Sequence, residues 1–277
     1  MQLRLSKRAV ILALLQCLSA CPKSPSQTET DAATMSPVSE DVVKPVETAA
    51  KPAQPFLAQE TPEKPNATDD SAVHNRFRSN YLQTKDITDN SELADLIDSL
   101  EDEGRGKAAL ETVKPKKKEY IPLLRKALWH HKPNVRANVA KILLLLEDES
   151  DETSKALTDL LLHDGDEDVR SIVARVLVTY RSKDTVPALI EVLRSDPYVH
   201  ARANAAWALR QIRDPRAVPA LIYALDDKET WVRLRAVGGL KELKAKQALP
   251  KLRAMTDDPN HEVRKEVQDA ISTLSKR

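Results

Sequence analysis

The side chains of this chain best suited to acid–base chemistry or metal binding are its histidines, and their spacing assembles no site. There are six of them: His74, His130, His131, His163, His200 and His261. None gives an HxxxH or HExxH motif or a cluster with cysteine, the spacings that bring metal ligands together. The glycine-rich phosphate-binding motifs GxGxxG and GxxxxGK[ST] are also absent from the sequence. We therefore expect no catalytic, cofactor-binding or metal-binding residues, no cofactor and no enzymatic activity.

A second set of chemistry-bearing residues recurs at a regular distance. An aspartate precedes an apolar residue by five positions, and an arginine follows that apolar residue directly. The copies are Asp164 with Val169-Arg170, Asp196 with Ala201-Arg202, Asp227 with Val232-Arg233, and Asp258 with Val263-Arg264. An earlier copy, Val135-Arg136, has His130 in the aspartate position. The apolar positions lie 34, 32, 31 and 31 residues apart, a period typical of a repeat array.

The aspartates and arginines recur at the same positions of each repeat, and two interpretations of this pattern are possible. An aspartate in the turn before a helix can cap the helix N-terminus, whereas an arginine at that N-terminus is poorly placed for the helix dipole. The favoured interpretation is that each arginine charge is met by an aspartate of its own or an adjacent unit, so that these residues form a structural ladder between stacked repeats. The alternative is that the arginines form a ligand-binding row.

Two-helix units must position these residues. In one unit, an apolar helix precedes the turn at Asp196, and Ala201, Ala205 and Leu209 then give a second helix one apolar face at spacings of four. Counting back 31 residues from Val135 reaches Gly104, so residues 91–118 are predicted to form a degenerate first unit. The predicted fold class is therefore all-α: an α-α superhelix, or α-solenoid, of about six two-helix repeats over residues 90–277.

The repeats resemble HEAT repeats, especially the short HEAT-like type also found in phycobilisome lyases. The resemblance rests on a proline near the start of the first helix, an aspartate eight or nine residues later, and an arginine six residues after that. The prolines are Pro122, Pro187, Pro219 and Pro250. The pattern departs from the family at Ala156, which replaces the proline, and at His130, which replaces the aspartate.

The same resemblance implies an alternative function, that of an enzyme or enzyme subunit. Phycobilin lyases are one such class. HEAT-repeat di-iron hydroxylases acting on deoxyhypusine are another, and they use several His-Glu pairs on opposing repeats. This chain has one His-Glu pair, His261-Glu262, in a predicted turn and without matching partners.

The N-terminus has the features of an export signal. Arg4, Lys7 and Arg8 precede an apolar stretch, Ala9 to Leu18, that is too short to span a membrane. Its end, Leu18-Ser19-Ala20-Cys21, resembles the lipobox of bacterial lipoproteins, in which the peptide is cut before a cysteine that then carries lipid, including palmitate. The resemblance implies a signal peptide over 1–20, lipidation at Cys21 and a periplasm-facing domain anchored to a membrane of the cell envelope. An ordinary signal peptide or an uncleaved anchor remains the alternative.

Residues 21–89 are predicted to be a disordered tether. Proline, serine, threonine, alanine, glutamate and glutamine dominate this stretch, and no helical or alternating period persists. A flexible chain of this length has an end-to-end distance of about 45 Å. Within it, residues 77–89 could instead cap the first repeat.

The remaining functional signal is a predicted surface. The chain carries 43 Lys and Arg against 42 Asp and Glu, a balance that argues against a nucleic-acid partner. The third and sixth positions after the repeated apolar residue are predicted to lie off the packed face of the second helices. These positions hold Asn138, Lys141, Arg175, Asn204, Trp207 and Arg235. The alternative for Trp207 is that it fills space between repeats, with Arg175 stacked on it. Because Trp and Arg are enriched at binding hot spots, we expect a monomeric scaffold or adaptor whose partner is another protein.

Overall fold

The computed structural model describes residues 90–99, 103–180 and 182–276. The predicted signal peptide, the predicted tether and the candidate cap at residues 77–89 lie outside the described residues. Within the described ranges every regular element is helical. The α-helices are α1 Ser91–Ser99, α2 Glu103–Val113, α3 Lys117–Ala127, α4 Pro133–Leu145, α5 Asp151–His163, α6 Glu167–Tyr180, α7 Val186–Ser195, α8 Val199–Ile212, α9 Val218–Tyr223, α10 Thr230–Glu242, α11 Leu249–Ala254 and α12 His261–Ser275.

Successive helices pair into units, numbered one to six from α1–α2 to α11–α12. The second helices α4, α6, α8, α10 and α12 pack against one another along the array and form its main layer. Each turns one apolar face inward: Val169, Val173 and Leu177 of α6 are fully buried at spacings of four. Burial of these faces forms one continuous core, as expected of stacked repeats. The predicted all-α solenoid is thereby confirmed.

Short 3₁₀ turns lead into the first helices of units two, four, five and six. Pro187, Pro219 and Pro250 each occupy the first turn of their α-helix, where the missing N–H removes no helical hydrogen bond. Pro122 differs, because α3 begins five residues before it and the proline lies inside the helix. The predicted position of proline at the helix start therefore holds for units four to six but not for unit two.

The first unit has a different arrangement from the one predicted. Residues 103–113 do form a helix near Gly104, but α1, not α2, is the helix of this unit that packs most against α4. The reason is apolar content, since Leu93, Leu96 and Ile97 give α1 a buried face. Counting back the repeat period therefore located a helix correctly but assigned it to the wrong layer.

Two adjacent glycines in α10 face different neighbours. A Cβ on Gly239 would lie 3.0 Å and 3.2 Å from the methyl carbons of the fully buried Leu221 on α9. A Cβ on Gly238 would lie 2.7 Å from Nη1 of Arg210, which is the far end of a flexible side chain. Gly239 thus permits close approach of the two helices of unit five, whereas Gly238 only accommodates a movable group.

We expect Gly238→Ala and Gly239→Ala to have opposite effects on stability. The first should raise the free energy of unfolding by up to about 1 kcal/mol, because alanine favours the helix and Arg210 can move. The second should lower it by about 1–2 kcal/mol, because Leu221 has no free space. Urea unfolding of both variants measures the difference, and the reverse order would show that the helices of unit five are not in close contact at Gly239.

Candidate functional site

The repeated arginines and aspartates join neighbouring units. In units two to five the arginine donates two hydrogen bonds, from Nε and Nη2, to the two carboxylate oxygens of the aspartate in the next unit. The shortest N–O distances are 2.6 Å for Arg136–Asp164, 2.7 Å for Arg170–Asp196, 2.8 Å for Arg202–Asp227 and 2.8 Å for Arg233–Asp258. Two parallel hydrogen bonds per pair fix the geometry as well as the charge. We call this row of pairs the ladder.

The remaining hydrogen-bonding groups of the ladder are used inside each turn. Nη1 of Arg202 donates to the carbonyl oxygen of Asp196 at 2.9 Å, and Oδ1 of Asp196 accepts the backbone N–H of Tyr198 at 2.9 Å. Arg264, in the last described unit, makes the same contact with the carbonyl oxygen of Asp258 at 2.7 Å. Ladder residues therefore hold the turns and stack the units, and their charges are not directed at a ligand.

The ladder affects the pKa of its last carboxylate, Asp258. Burial alone would raise the pKa of Asp258, but hydrogen bonds from Arg233 and from the N–H of Asn260 offset burial and lower this pKa below its usual value. The carboxylate therefore stays charged at neutral pH, as the ion pair requires.

His130 replaces the aspartate where unit two meets unit one. Its Nδ1 accepts the backbone N–H of Lys132 at 3.1 Å, the same turn contact that the aspartates make. Its carbonyl oxygen accepts Nη1 of Arg136 at 2.7 Å, again as in the other units. Arg105, the residue at the ladder register in unit one, is exposed on α2. The neutral imidazole of His130 accepts the backbone N–H of the turn here, so that no carboxylate has to be buried.

We expect acid to destabilise the array through His130. Burial, followed by the charges of His131, Lys132 and Arg136, lowers the pKa of His130 to about 4 in the folded chain. Its stabilising contribution is therefore complete above the unfolded pKa of about 6.5 and is lost as the pH falls toward 4. Between pH 7.5 and 5 the wild type should lose about 1 kcal/mol more than His130→Asn, whose amide oxygen accepts the same N–H but does not titrate.

Urea unfolding at the two pH values measures this difference. His131→Asn is the matched control, because His131 is an exposed neighbour of the same type. If His131→Asn and His130→Asn change the pH dependence equally, His130 is not the responsible group.

The predicted surface residues divide into two groups. The expectation that Asn138 lies on an open surface is wrong: it is buried, and its Nδ2 donates to the carbonyl oxygen of Ile97 at 3.0 Å. Asn204 is half-buried and donates to Ser171 of the preceding unit, to Oγ at 2.9 Å. The third position after the repeated apolar residue thus faces the previous unit, and its asparagines join units. Lys141 is half-buried and donates to Oδ1 of Asn138 at 3.2 Å.

Trp207 lies at the sixth position on α8, half-buried against the core. The guanidinium of Arg235, from the next unit, lies over its ring at 5.9 Å from the ring centroid, within the range of a cation–π contact. Arg175, at the equivalent position one unit earlier, is also half-buried. We call the outward surface of α6, α8 and α10 around these three side chains the second-helix face.

The ninth position after the repeated apolar residue also contributes to this face, and sequence reasoning missed it. Arg210 occupies it on α8 and lies 3.5 Å from Glu242. Lys241 occupies it on α10 and donates to Glu266 at 2.5 Å and to Asp269 at 2.8 Å. Spacings of three along a helix return to nearly the same side, and this signal could have identified both residues.

A cluster of hydroxyl, carboxylate and guanidinium groups joins units two and three. Arg125 donates to Oγ1 of Thr153 at 2.7 Å and to Oγ of Ser150 at 2.9 Å. Ser150 is also the N-cap of α5, and Thr153 donates to Asp148. These groups cap a helix and attach it to the preceding unit, which accounts for their proximity without a nucleophilic role.

The described ranges of the chain contain neither a candidate metal centre nor a helix that could span a membrane. No group of three or more His, Cys, Asp or Glu side chains there could hold a metal ion. His261 and Glu262 are exposed at the start of α12. No helix within residues 90–99, 103–180 and 182–276 combines the length and apolar character needed to cross a bilayer.

Comparison with known proteins matches the array to one family. The family model described as HEAT repeats matches residues 90–178, 154–233 and 218–276. No protein with a curated description matches the chain.

Solved structures share the architecture at low identity. The complex of CpcE and CpcF of phycocyanin lyase from Nostoc sp. PCC7120 is 22% identical with a TM-score of 0.51, covering 56% of this chain and 65%, less than two thirds, of that one. Human deoxyhypusine hydroxylase in complex with glycerol is 16% identical with a TM-score of 0.38, and the match covers 71% of this chain and 97% of that one. A designed armadillo repeat protein in complex with the peptide (KR)4 is 19% identical with a TM-score of 0.46, and the match covers 66% of this chain and 100% of that one. The first of these similarities supports the fold alone.

Proposed function

The chain belongs to the HEAT-repeat family, and from this premise we propose that it is a scaffold or adaptor that binds another protein through its second-helix face and performs no chemistry. The observation that carries the proposal is the contact between Trp207 and Arg235, which join two units into one aromatic and cationic surface. An array of stacked units provides an extended surface of this kind along its length.

The second-helix face is favoured over the ladder as a binding surface because the charges of the ladder are already paired within the array. The ladder is a property of the repeat, and its arginines are saturated by carboxylates and turn carbonyls. Specific recognition then depends on positions where the units differ. The sixth position is Lys141, Arg175, Trp207, Gly238 and Asp269 in successive units. A half-buried tryptophan bordered by arginines has the composition of a protein-binding hot spot.

The location that we propose for this scaffold is the cell envelope. The support is the residue pattern of the N-terminus: a basic segment, a short apolar segment and Leu18-Ser19-Ala20-Cys21. Lipid attached at Cys21, in two or three acyl chains, would give stable anchoring, whereas a single chain binds only marginally. The segment up to residue 89 would let the array reach partners about 45 Å from the bilayer surface.

Chemical crosslinking in cells followed by purification of the full-length chain tests the binding function. We expect reproducible recovery of an envelope protein with the wild type and a loss of about 10-fold or more with Trp207→Ala plus Arg175→Ala, since hot-spot side chains contribute about 2 kcal/mol or more. The matched control is Trp129→Ala plus Arg253→Ala, which removes a half-buried tryptophan and an arginine from positions outside both the second-helix face and the turns of units four and five.

Circular dichroism confirms that both variants are folded. Equal recovery with both would indicate a spacer that does not use the second-helix face. Failure to recover any envelope protein, together with substrate turnover or stoichiometric metal in the purified chain, would contradict the scaffold function.

A further inference from the structure

A cleft opens at the turns of units four and five, away from the second-helix face. Its volume is about 310 Å³, and it lies between the end of α7 and the segment from α9 to α10. Ligand pockets in proteins span about 300–1,000 Å³, so this cleft matches one or two side chains of a bound segment and not a large cofactor.

The acidic residues of the cleft are already paired within the array. Asp196 accepts from Arg170 at 2.7 Å, and Asp227 accepts from Arg202 at 2.8 Å, both as members of the ladder. Asp226 lies 2.7 Å from Lys251 of unit six. Each acidic side chain of the cleft is therefore neutralised by a cation of the array.

The cationic groups at the rim lie outside this pairing. Arg194, near the end of α7, and Lys228, in the turn before α10, are exposed and border the cleft from opposite units. Tyr223 lies beside them with 61% of its surface exposed. In the described part of the chain, Tyr223 and Trp231 are the exposed large hydrophobic residues, and they flank the same turn.

We propose that this cleft binds an acidic peptide segment of a partner protein. Carboxylates of the segment pair with Arg194 and Lys228, and an adjacent apolar side chain packs on Tyr223. Guanidinium groups bind carboxylates through two hydrogen bonds, and tyrosine adds apolar area at low entropic cost. The proposal rests on the scaffold function in one respect, since a protein partner supplies the segment. The contact itself is separate from the one proposed for the second-helix face.

The charge pattern favours a peptide over a uniform polyanion. Asp226 is paired with Lys251 but keeps 67% of its side chain exposed, and it lines the same cleft as the two cations. A nucleic acid or an anionic bilayer would bring closely spaced negative charges against this carboxylate. A peptide can instead space its carboxylates so that they reach Arg194 and Lys228 while avoiding Asp226.

Fluorescence anisotropy with the purified full-length chain tests this site. The probe is a fluorescein-labelled hexapeptide of alternating glutamate and leucine. We expect saturable binding that weakens about 10-fold in Arg194→Gln plus Lys228→Gln, because each of the two exposed ion pairs contributes about a factor of three. Tyr223→Ala, which changes no charge, should weaken binding about 5-fold by loss of apolar contact.

The matched control is Arg253→Gln plus Lys265→Gln, which removes the same two charge types from exposed positions of unit six. Its affinity should stay within about 2-fold of the wild type. Absence of saturable binding, an equal loss in the control, or equal binding of a lysine–leucine peptide or a single-stranded oligonucleotide would overturn the proposal. If crosslinking in cells recovers a partner but the peptide does not bind, the cleft assignment fails alone. If the peptide binds and no partner is recovered, the scaffold function fails instead.

Discussion

Asp164→Ala is expected to lower the free energy of unfolding by about 3–5 kcal/mol, the cost of leaving a buried charge without its partner. The side chain of Asp164 is fully buried and that of Arg136 is 7% exposed, so water cannot replace the lost carboxylate. The substitution also removes the acceptor for the backbone N–H of Asp166. Urea unfolding followed by circular dichroism measures the change.

Asp226→Ala is the matched control. It breaks the Lys251–Asp226 pair, whose side chains are exposed, and should cost no more than about 1 kcal/mol. Replacing both members of the buried pair, as Arg136→Met plus Asp164→Leu, should recover part of the loss, because no isolated charge remains. Equal costs for Asp164→Ala and Asp226→Ala would show that the ladder does not hold the units together.

Cys21→Ser is expected to move the chain from the membrane fraction to the soluble fraction of cells. Serine offers no thiol for thioether attachment, so the acyl chains that would anchor the protein cannot be added. Fractionation by ultracentrifugation followed by immunoblotting measures the distribution. The expected change is large, because two or three acyl chains give nearly complete membrane association and none gives essentially no binding.

Cys17→Ser provides the control for this variant, since it removes the other cysteine of the chain from four residues upstream. It should leave the protein in the membrane fraction. If Cys21→Ser still sediments with membranes, lipid at this position is not the anchor, and an uncleaved signal segment becomes the better explanation.

The regular features of the fold could be predicted because they repeat. An apolar residue every four positions, a proline in the first turn and an aspartate before the second helix report local backbone geometry that each unit adopts separately. The pairing of arginine with aspartate in the next unit follows from the same regularity, because two buried charges at a fixed spacing need each other. His130 is the informative exception, since it keeps the turn contact where the ladder begins.

Features that depend on differences between units could not be predicted from the period. Asn138 was expected on an open surface, but α1 covers it because unit one places its first helix against α4. The cleft arises because α9 has only six residues and continues into a 3₁₀ turn, Ala224–Asp226, whereas α7 has ten. Helix ends of this kind are set by packing between units, which no single repeat encodes.

The role of Trp207 depends on a contact between units in the same way. The guanidinium over its ring comes from Arg235, at the third position of the second helix in the next unit. Residues three or six positions after a repeated apolar residue share a side of one helix, but which neighbour they meet depends on the stacking of the helices.

Site-specific photocrosslinking in cells measures directly whether specific recognition lies on the second-helix face. A photoreactive amino acid would replace Gln211, one helical turn after Trp207 on α8, or Lys155, which is exposed on α5 in unit three and does not line the cleft. We expect an envelope protein to be crosslinked from position 211 and not from position 155. Crosslinking from position 155 alone, or equally from both positions, would contradict binding through the second-helix face.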